Sequence, residues 1–393
     1  LNDGYFEELI KKFLLDNPST VTVTLIPDSG KQQQGQAEEQ QRLAAYDETV
    51  SAQEKKERIE RTQELMQGQQ QPNSIETLSL LPQLNLSDLS TKVDFHTATP
   101  TEMFGQQVLV SELTTNHISY IDIGFDISCL PPDLLPLLDL FGTIVTEIGT
   151  KRLNYQQFAK EIATCTGAFS HSLTSYTKRQ QPETTRPVFW LQLKCLPDYL
   201  EKALQLLAEI FSSVSFEDRA RVREIVGREF AWAEHAVQSE GYNLPATRIF
   251  AHLSMAGRYN EMFNGVTSYL ATKDLALNYE KKEEQFLAAL KVISTLLFNK
   301  NNLLFGVTAE GQELAHLANI GSCITDALAD TPVKSYLLPE LHLADHEAFI
   351  TSAEVVFAVQ GGNLLPGGLG YNGHFEVLKT YLSRDYLWNT VRQ

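Results

Sequence analysis

Cysteine is scarce in this sequence, and its few cysteines lie far apart. The 393 residues include four of them, Cys129, Cys165, Cys195 and Cys323, and none belongs to a Cys-x-x-Cys pair. Disulfide-dependent secreted domains are much richer in cysteine, and zinc knuckles need closely spaced pairs. The spacing therefore excludes a disulfide framework and a zinc knuckle, and it predicts reduced, mostly buried thiols.

Positive charge and long apolar runs are also in short supply. The 32 Lys and Arg residues face 49 Asp and Glu residues, which gives a formal net charge of −17. Nucleic acids and anionic membranes bind clustered Lys and Arg, so neither is expected as a partner. No apolar run approaches the roughly 20 residues of a membrane span, and no signal peptide is visible. We therefore expect a cytoplasmic or organelle-matrix location.

Several common catalytic patterns are missing as well. The sequence contains no Gly-x-Ser-x-Gly run, no P-loop and no Cys/His nucleophile arrangement. The glycine-rich run at 361–368 lacks the Lys-Ser/Thr pair of a phosphate-binding loop, and it predicts a connection between a strand and a helix.

The stretch from 108 to 175 indicates the fold. Apolar residues alternate in Val108–Leu113 and His117–Ile127, as in strands with one buried face, and the turn-like Thr114-Thr-Asn116 joins the two runs. After Pro131-Pro132 the apolar spacing becomes helical, and Gly149 is placed to end that helix. A second helix and a return strand follow. This order predicts an α+β fold, an antiparallel sheet with helices packed on one face.

Composition predicts four parts along the chain. Residues 1–30 are expected to be the tail of a preceding α+β domain, with a helix followed by an alternating strand at 20–26. Residues 31–94 predict a helical-hairpin hinge or linker, in which Ser51 and Glu54 fit a capping box. A disordered tether is the alternative for this Gln- and Glu-rich segment.

The two remaining parts are expected to belong to α+β domains. Residues 95–335 are expected to form the complete α+β domain, in which further strands and amphipathic helices follow the 108–175 stretch. Residues 350–393 predict the truncated start of another α+β domain, with a strand at 353–360 and a helix at 371–390. The chain begins without Met and stops inside a helical pattern, so we expect a piece of a longer protein.

Several stretches resemble the presequence protease branch of the pitrilysin/insulinase superfamily of zinc metallopeptidases. Tyr5-Phe-Glu-Glu-Leu-Ile, followed by Val21-Thr-Val-Thr-Leu-Ile-Pro-Asp, is similar to the segment that enters the hinge of these proteases. The acidic hairpin and Gly149-Thr150 also resemble the family. The final run, Tyr381-Leu-Ser-Arg-Asp-Tyr-Leu-Trp-Asn-Thr-Val-Arg392, is the most specific element. Together these stretches extend over nearly the whole chain.

The resemblance implies a two-halved peptidase in which four LuxS/pitrilysin-type, metallopeptidase-like domains close around a chamber for unfolded peptides. This chain would hold the end of the second domain, the hinge, the third domain and the start of the fourth. The zinc-binding His-x-x-Glu-His helix would lie upstream of Leu1, outside this fragment. The implied function is that of a non-catalytic C-terminal-half fragment of a zinc metalloendopeptidase. It would enclose the chamber, bind peptide substrate and hinge against the missing N-terminal catalytic half.

Arg392 is the candidate substrate-binding residue that the resemblance implies. In family members an Arg and a Tyr from the fourth domain reach into the active site, where fixed donors stabilise a developing oxyanion. Arg392 fits the Arg position, whereas the Tyr would lie past Gln393. A solvated cation at a helix end is the alternative for Arg392. No catalytic residue is expected within the fragment.

The resemblance also places the family's zinc motif relative to the glycine that ends the first helix of a domain. Counting back from Gly149 puts Leu140, Thr143 and Ile144 at the positions of the first His, the Glu and the second His. None of the three is expected to bind zinc, and Leu140 and Ile144 are expected in the core. The third domain would therefore be a non-catalytic twin.

One local pattern imitates a zinc motif. His342-Leu-Ala-Asp-His346 would place both histidines on one helical face, with Asp345 as a shortened base. It follows Pro339 in a predicted inter-domain link, so chance histidines are the favoured interpretation and no metal ligand is expected in the chain. Among the other histidines, His171 is expected to be structural.

Two other functions stay open at this point. A stand-alone, non-enzymatic peptide-binding or scaffold protein could have kept the twin domain without catalysis. A coding sequence that ends at Gln393 would favour this alternative, and an upstream His-x-x-Glu-His motif would exclude it. The third hypothesis is that His342 and His346 form a real metal site.

Overall fold

The computed structural model describes residues 4–93, 95–178, 181–340, 342–344, 346–352, 355–364, 368 and 370–392. The chain divides after residue 93 into two compact units. Among the described residues, no helix is both long enough and apolar enough to cross a membrane.

The first unit is helical. It contains α1 (Tyr5–Ile10), α2 (Lys31–Thr49), α3 (Ala52–Gln70) and α4 (Ile75–Ser79), with a π-helical turn at Lys11–Leu15. The strand predicted at 20–26 is wrong, since this segment is exposed and forms no ladder within the described ranges. An alternating sequence needs a neighbouring strand to satisfy its backbone groups, and none pairs with it here.

Both predicted helices of the hairpin are formed. Ser51 Oγ accepts a hydrogen bond from the Glu54 backbone N–H (3.2 Å), and Glu54 Oε2 accepts one from the Ser51 backbone N–H (3.0 Å), so the predicted capping box is present. The end of α2 contacts the start of α3 through Asp47 and Lys55, which lie 2.7 Å apart. Arg58 lies over the Tyr46 ring, 5.4 Å from its centroid.

The second unit is built on one six-stranded sheet with the order β1-β2-β6-β3-β5-β4. The strands are β1 (Thr99–Met103), β2 (Gln106–Glu112), β3 (Ser119–Asp126), β4 (Ala168–Lys178), β5 (Gln181–Cys195) and β6 (Leu303–Ala309). All neighbouring pairs are antiparallel except β2 and β6, which run parallel. The turn at Thr114–Asn116 thus joins two strands that are not neighbours, because β6 lies between them.

The buried face of the sheet packs against helices. The helices of this unit are α5 (Leu138–Glu147), α6 (Tyr155–Cys165), α7 (Leu200–Ser213), α8 (Arg219–Ser239), α9 (Asn243–Leu253), α10 (Met255–Asn264), α11 (Val266–Leu277), α12 (Tyr279–Leu297), α13 (Gly311–Ile320), α14 (Ser322–Asp326) and α15 (His374–Tyr381). The predicted α+β fold class is confirmed. The helical segment after β6 is divided into α13 and α14 at Gly321.

The two faces of the sheet differ in polarity. Ile121, Ile123 and Phe125 of β3 are fully buried in the core against the helices. On the opposite face, Gln192 Nε2 donates to Asp122 Oδ1 (2.8 Å), and its Oε1 accepts from Ser172 Oγ (3.0 Å). This alternation is the one-sided burial that the sequence pattern predicted.

The core accounts for the cysteines. Cys129, Cys165 and Cys195 are buried, as predicted, and all four cysteines are free thiols. Burial raises the pKa of the Cys129 and Cys195 thiols to about 12, because the thiolate would lose its hydration. Neither thiol is therefore suited to act as a nucleophile.

The strand predicted at 353–360 is also wrong over its described residues, since residues 355–360 form no strand. Residues 353 and 354 lie outside the described residues. Phe357 packs instead at the connection between α8 and α9, where its ring lies 6.4 Å from that of Tyr242. The helix predicted at 371–390 is present as α15, followed by π-helical turns at Leu382–Tyr386 and Trp388–Arg392.

Two glycines allow a matched test of the helical layer. A Cβ on Gly257 in α10 would lie 1.9 Å from the Phe250 carbonyl oxygen of α9, whereas a Cβ on Gly227 in α8 would meet nothing within 4 Å. We expect Gly257→Ala to lower the free energy of unfolding by about 1–3 kcal/mol through overpacking. Gly227→Ala should raise it by about 0.5–1 kcal/mol because alanine favours the helix. Thermal unfolding followed by circular dichroism checks both, and equal effects would contradict the close packing of α9 on α10.

Candidate functional site

The helix that would carry the family's zinc motif is part of the core. Leu140 and Ile144 of α5 are buried, as predicted, and Thr143 Oγ1 donates to the Asp139 carbonyl at 3.3 Å. Phe141 of the same helix packs on Phe189 and Phe298, with ring centroids 5.8 and 5.9 Å apart. Side chains of this kind do not bind zinc, whose ligands are Cys, His and carboxylates. Leu140, Thr143 and Ile144, at the motif positions, therefore do not fit the metal.

The motif-like pair His342 and His346 is exposed and not helical. Residues 342–344 have no regular secondary structure, and His346 lies in a bend. Asp345, which the pattern needs as a base, lies outside the described residues. The shared helical face that would bring two histidines together is therefore not formed at the described positions.

Arg392 ends the last π-helical turn, Trp388–Arg392. The structure describes its backbone but not its side chain. Its proposed contact with substrate therefore stays a prediction.

His171 has the structural environment that was expected of it. It lies in the edge strand β4, its ring stacks on Phe189 with centroids 6.1 Å apart, and its Nε2 lies 3.2 Å from Asp139 Oδ1. A Cβ on Gly142 of α5 would lie 2.1 Å from this ring. The glycine thus makes room for the imidazole between β4 and α5.

A different histidine belongs to a cluster with two carboxylates. His117, Glu310 and Glu313 each offer a ligand atom, and these atoms lie within 4.8 Å of one another. We call these three residues the corner cluster. His117 lies in the turn between β2 and β3, Glu310 follows β6, and Glu313 lies in the first turn of α13.

Backbone geometry fixes the corner cluster. Asn116 and His117 have φ angles of 52° and 61°, the left-handed region that non-glycine residues seldom adopt. In this conformation the backbone N–H groups of Thr115 and His117 both donate to Glu310 Oε1, each at 3.0 Å. These bonds hold the pKa of the Glu310 carboxyl below its usual range. Glu310 is therefore a carboxylate that ties the turn to the start of α13.

A second polar site lies between α9, α11 and residues 344, 346–351 and 355–359. These elements line a groove of about 790 Å³. At its side, Arg248 Nη1 donates to Glu261 Oε1 (2.7 Å), and Arg248 Nε donates to Glu347 Oε2 (2.6 Å). Glu261 is 0% exposed, and its Oε1 also accepts from the Thr267 backbone N–H at 3.0 Å. Arg248 therefore compensates a buried charge and holds the 344–359 segment to the helices.

Comparison with known proteins decides the family. A model of the family described as peptidase M16-C associated matches residues 25–275. The chain belongs to this peptidase-associated family. The match begins before the helical hairpin and extends through most of α11.

Two curated relatives of this family member match over almost its whole length. Protein HypA from Clostridium perfringens is 25% identical over 397 aligned positions, which cover 100% of this chain and 40% of that protein. The chloroplastic/mitochondrial presequence protease 1 from Arabidopsis thaliana is 27% identical over 389 positions, which cover 98% of this chain and 36% of that protein. The chain thus spans about two-fifths of the length of these relatives. The predicted resemblance to presequence proteases is confirmed.

Two solved structures show a distant likeness to this chain. A peptidase M16 inactive domain from Pseudomonas fluorescens has a TM-score of 0.43 and 15% sequence identity, covering 61% of this chain and 53% of that one. The periplasmic protease PqqL from Escherichia coli has a TM-score of 0.38 and 12% identity, covering 68% and 28%. Likenesses of this size carry no conclusion about activity.

Sequence reasoning missed the corner cluster. His117 and Glu310 are 193 positions apart, and no spacing rule connects them. The only local signals were a histidine at a strand start and two glutamates, three residues apart, at a helix start. The cluster exists because β2, β3 and β6 are adjacent in the sheet.

Replacing Arg248 by Met tests the second polar site. The change leaves the Glu261 carboxylate buried without its cation, so we expect the free energy of unfolding to fall by about 3–5 kcal/mol. Amide hydrogen exchange in residues 344–359 should also become faster. Glu347→Gln is the matched control, because it removes the more exposed partner only and should cost much less. Equal losses in the two variants would contradict this account.

Proposed function

We propose that the chain is a non-catalytic C-terminal-half fragment of a zinc metalloendopeptidase that degrades unfolded peptides. In this proposal it encloses the chamber, binds substrate peptide and hinges against the half that bears zinc. Its partners would be unfolded peptides and that N-terminal half, in the cytoplasm or an organelle matrix. The observation that carries the proposal is that this family member has Leu140, Thr143 and Ile144, none of them a zinc ligand, at the α5 positions where the zinc motif would lie.

The hairpin supports the hinge role. Leu43 and Tyr46 of α2 and Ile59 and Leu65 of α3 are all about half exposed or more, although they are among the large apolar residues of these helices. Apolar side chains left uncovered on a paired helical hairpin favour packing against another part of a larger protein. A hinge between two halves would supply that surface.

The sheet supports peptide binding. β1 and β4 are the edge strands of the sheet, so each leaves one row of backbone donors and acceptors without a strand partner in the described fold. An unfolded peptide can add to such an edge by main-chain hydrogen bonds, largely independently of its sequence. Peptides without structure are the substrates that this mode of binding selects.

Cleavage of an unstructured fluorogenic peptide tests the proposal. We expect no cleavage by this chain alone, with or without added Zn²⁺, because the catalytic Glu and the His ligands of the family motif are missing. The longer polypeptide that contains this chain should cleave the peptide and lose activity with a chelator. Cleavage by the chain alone would overturn the non-catalytic assignment. An inactive longer polypeptide without an upstream His-x-x-Glu-His motif would favour the scaffold alternative.

Arg392→Ala in the longer, active polypeptide tests the substrate-binding prediction. Loss of one fixed oxyanion donor should lower kcat by about 10²-fold or more, with a smaller effect on KM. Arg384→Ala is the control, since Arg384 belongs to the same terminal helical region and is exposed. Unchanged kcat in the Arg392 variant would make this residue a solvated helix-end cation.

A further inference from the structure

We propose that the corner cluster of His117, Glu310 and Glu313 is a divalent-metal site, with Zn²⁺ as its preferred ion. This site is separate from α5 and from the family's His-x-x-Glu-His motif. It does not depend on the proposed peptidase function. It revises the expectation, drawn from the sequence, that the chain binds no metal of its own.

The distances suit three converging ligands. His117 Nδ1 lies 3.1 Å from Glu313 Oε1 and 3.6 Å from Glu310 Oε2. A small rearrangement of these side chains would let one ion lie between the three atoms. Zn²⁺ binds imidazole nitrogen and carboxylate oxygen at about 2.0–2.2 Å, and three protein ligands leave a position for water.

Glu310 is prepared for this role by the fold. Its Oε1 is already engaged by the backbone N–H groups of Thr115 and His117, so Oε2 is the oxygen directed to the imidazole. Hydrogen bonds of this kind hold a ligating carboxylate in a fixed orientation. The turn therefore acts as an outer support for a ligand.

Glu313 supplies the independent observation that points to a cation. Its side chain is only 5% exposed, yet its Oε2 has no hydrogen-bond partner among the described residues. Glu313 Oε1 faces the imidazole at 3.1 Å, and the free oxygen belongs to the same carboxylate. A buried carboxylate oxygen without a donor is costly, and coordination to a metal ion is one of the few ways to compensate it.

The surroundings of the corner cluster offer a metal ion a further oxygen and a route from solvent. Thr115 Oγ1, in the same turn, is also buried without a partner in the described part of the chain. The His117 side chain is 66% exposed, so an ion can enter from solvent on that side. The site is thus closed by carboxylates on the protein side and open at the imidazole.

Such an ion would join the two connections at this end of the sheet. His117 belongs to the turn between β2 and β3, and both glutamates belong to the connection from β6 into α13. An ion that binds only the folded chain stabilises it, by an amount that rises with the logarithm of the metal concentration above Kd. The structure therefore assigns the ion a stabilising role, and no cleavage of peptide is attached to it.

Isothermal titration of the chain with ZnCl₂, paired with thermal unfolding, tests the site. We expect one equivalent of Zn²⁺ per chain and a melting temperature that rises with its concentration. His117→Ala and Glu313→Gln should each weaken binding by more than about 100-fold. Loss of a residue that only supports a ligand typically weakens metal binding by about 10–100-fold, and loss of a ligand itself should weaken it more. His117 is exposed, so its variant should fold even if the Glu313 variant does not.

The double variant His342→Ala/His346→Ala is the matched control, and it should bind Zn²⁺ as tightly as the unmodified chain. Zinc lost in this control but retained in His117→Ala would overturn the proposal and place the ion at the exposed pair. No binding by the unmodified chain, or binding that no variant changes, would overturn it as well. Peptide cleavage is measured separately, so failure of this site leaves the proposed function untouched.

Discussion

Insertion of β6 between β2 and β3 is the interaction on which the second unit depends. Phe305, Val307 and Ala309 are buried by this insertion, and β6 bonds parallel to β2 and antiparallel to β3. The pairing of β6 with β3 closes a long stretch of chain that lies between the two strands in sequence. The same closure brings the end of β6 beside the turn that precedes β3, so the sheet's central pairing and the corner cluster have one origin.

Core packing explains why α5 has no zinc ligands at the positions of the family motif. A zinc-binding helix must place Cys, His or carboxylate side chains at the metal, and α5 instead directs Leu140, Phe141 and Ile144 into the hydrophobic core. These side chains gain burial energy that imidazole and carboxylate could not supply without desolvation costs. A domain built this way is stable without a metal on this helix.

Charge is concentrated at junctions between elements. Glu310 fixes the turn before β3, Arg248 joins Glu261 to Glu347, and Glu147 of α5 accepts from both Arg221 and Arg228 of α8. Each of these junctions is at least partly buried, and in each a glutamate accepts hydrogen bonds from two or more donor groups. Such pairs fix the relative positions of the elements more than they stabilise the fold, because the cost of removing the charges from water offsets much of their attraction. We therefore expect functional rearrangements to begin elsewhere, at exposed segments such as the hairpin.

Local signals in the sequence were enough to identify several strands and helices. Apolar alternation identified β3, helical spacing identified α5, and Ser51 with Glu54 identified the start of α3. The same sequence carried the family resemblance. Alternation misled at 20–26 and 355–360, where no strand is adjacent, and β1 was missed, because its Pro100 is tolerated only at an edge.

The strand order, and with it the meeting of His117 with Glu310 and Glu313, came from the tertiary structure. Contacts across 193 positions leave no periodic trace in a single sequence, because periodicity records only the face that a residue presents within its own element. The partner on that face depends on which elements the folded chain brings together. Burial of Glu313 likewise depends on the packing of α13, and the sequence alone shows only a glutamate in the first turn of a helix.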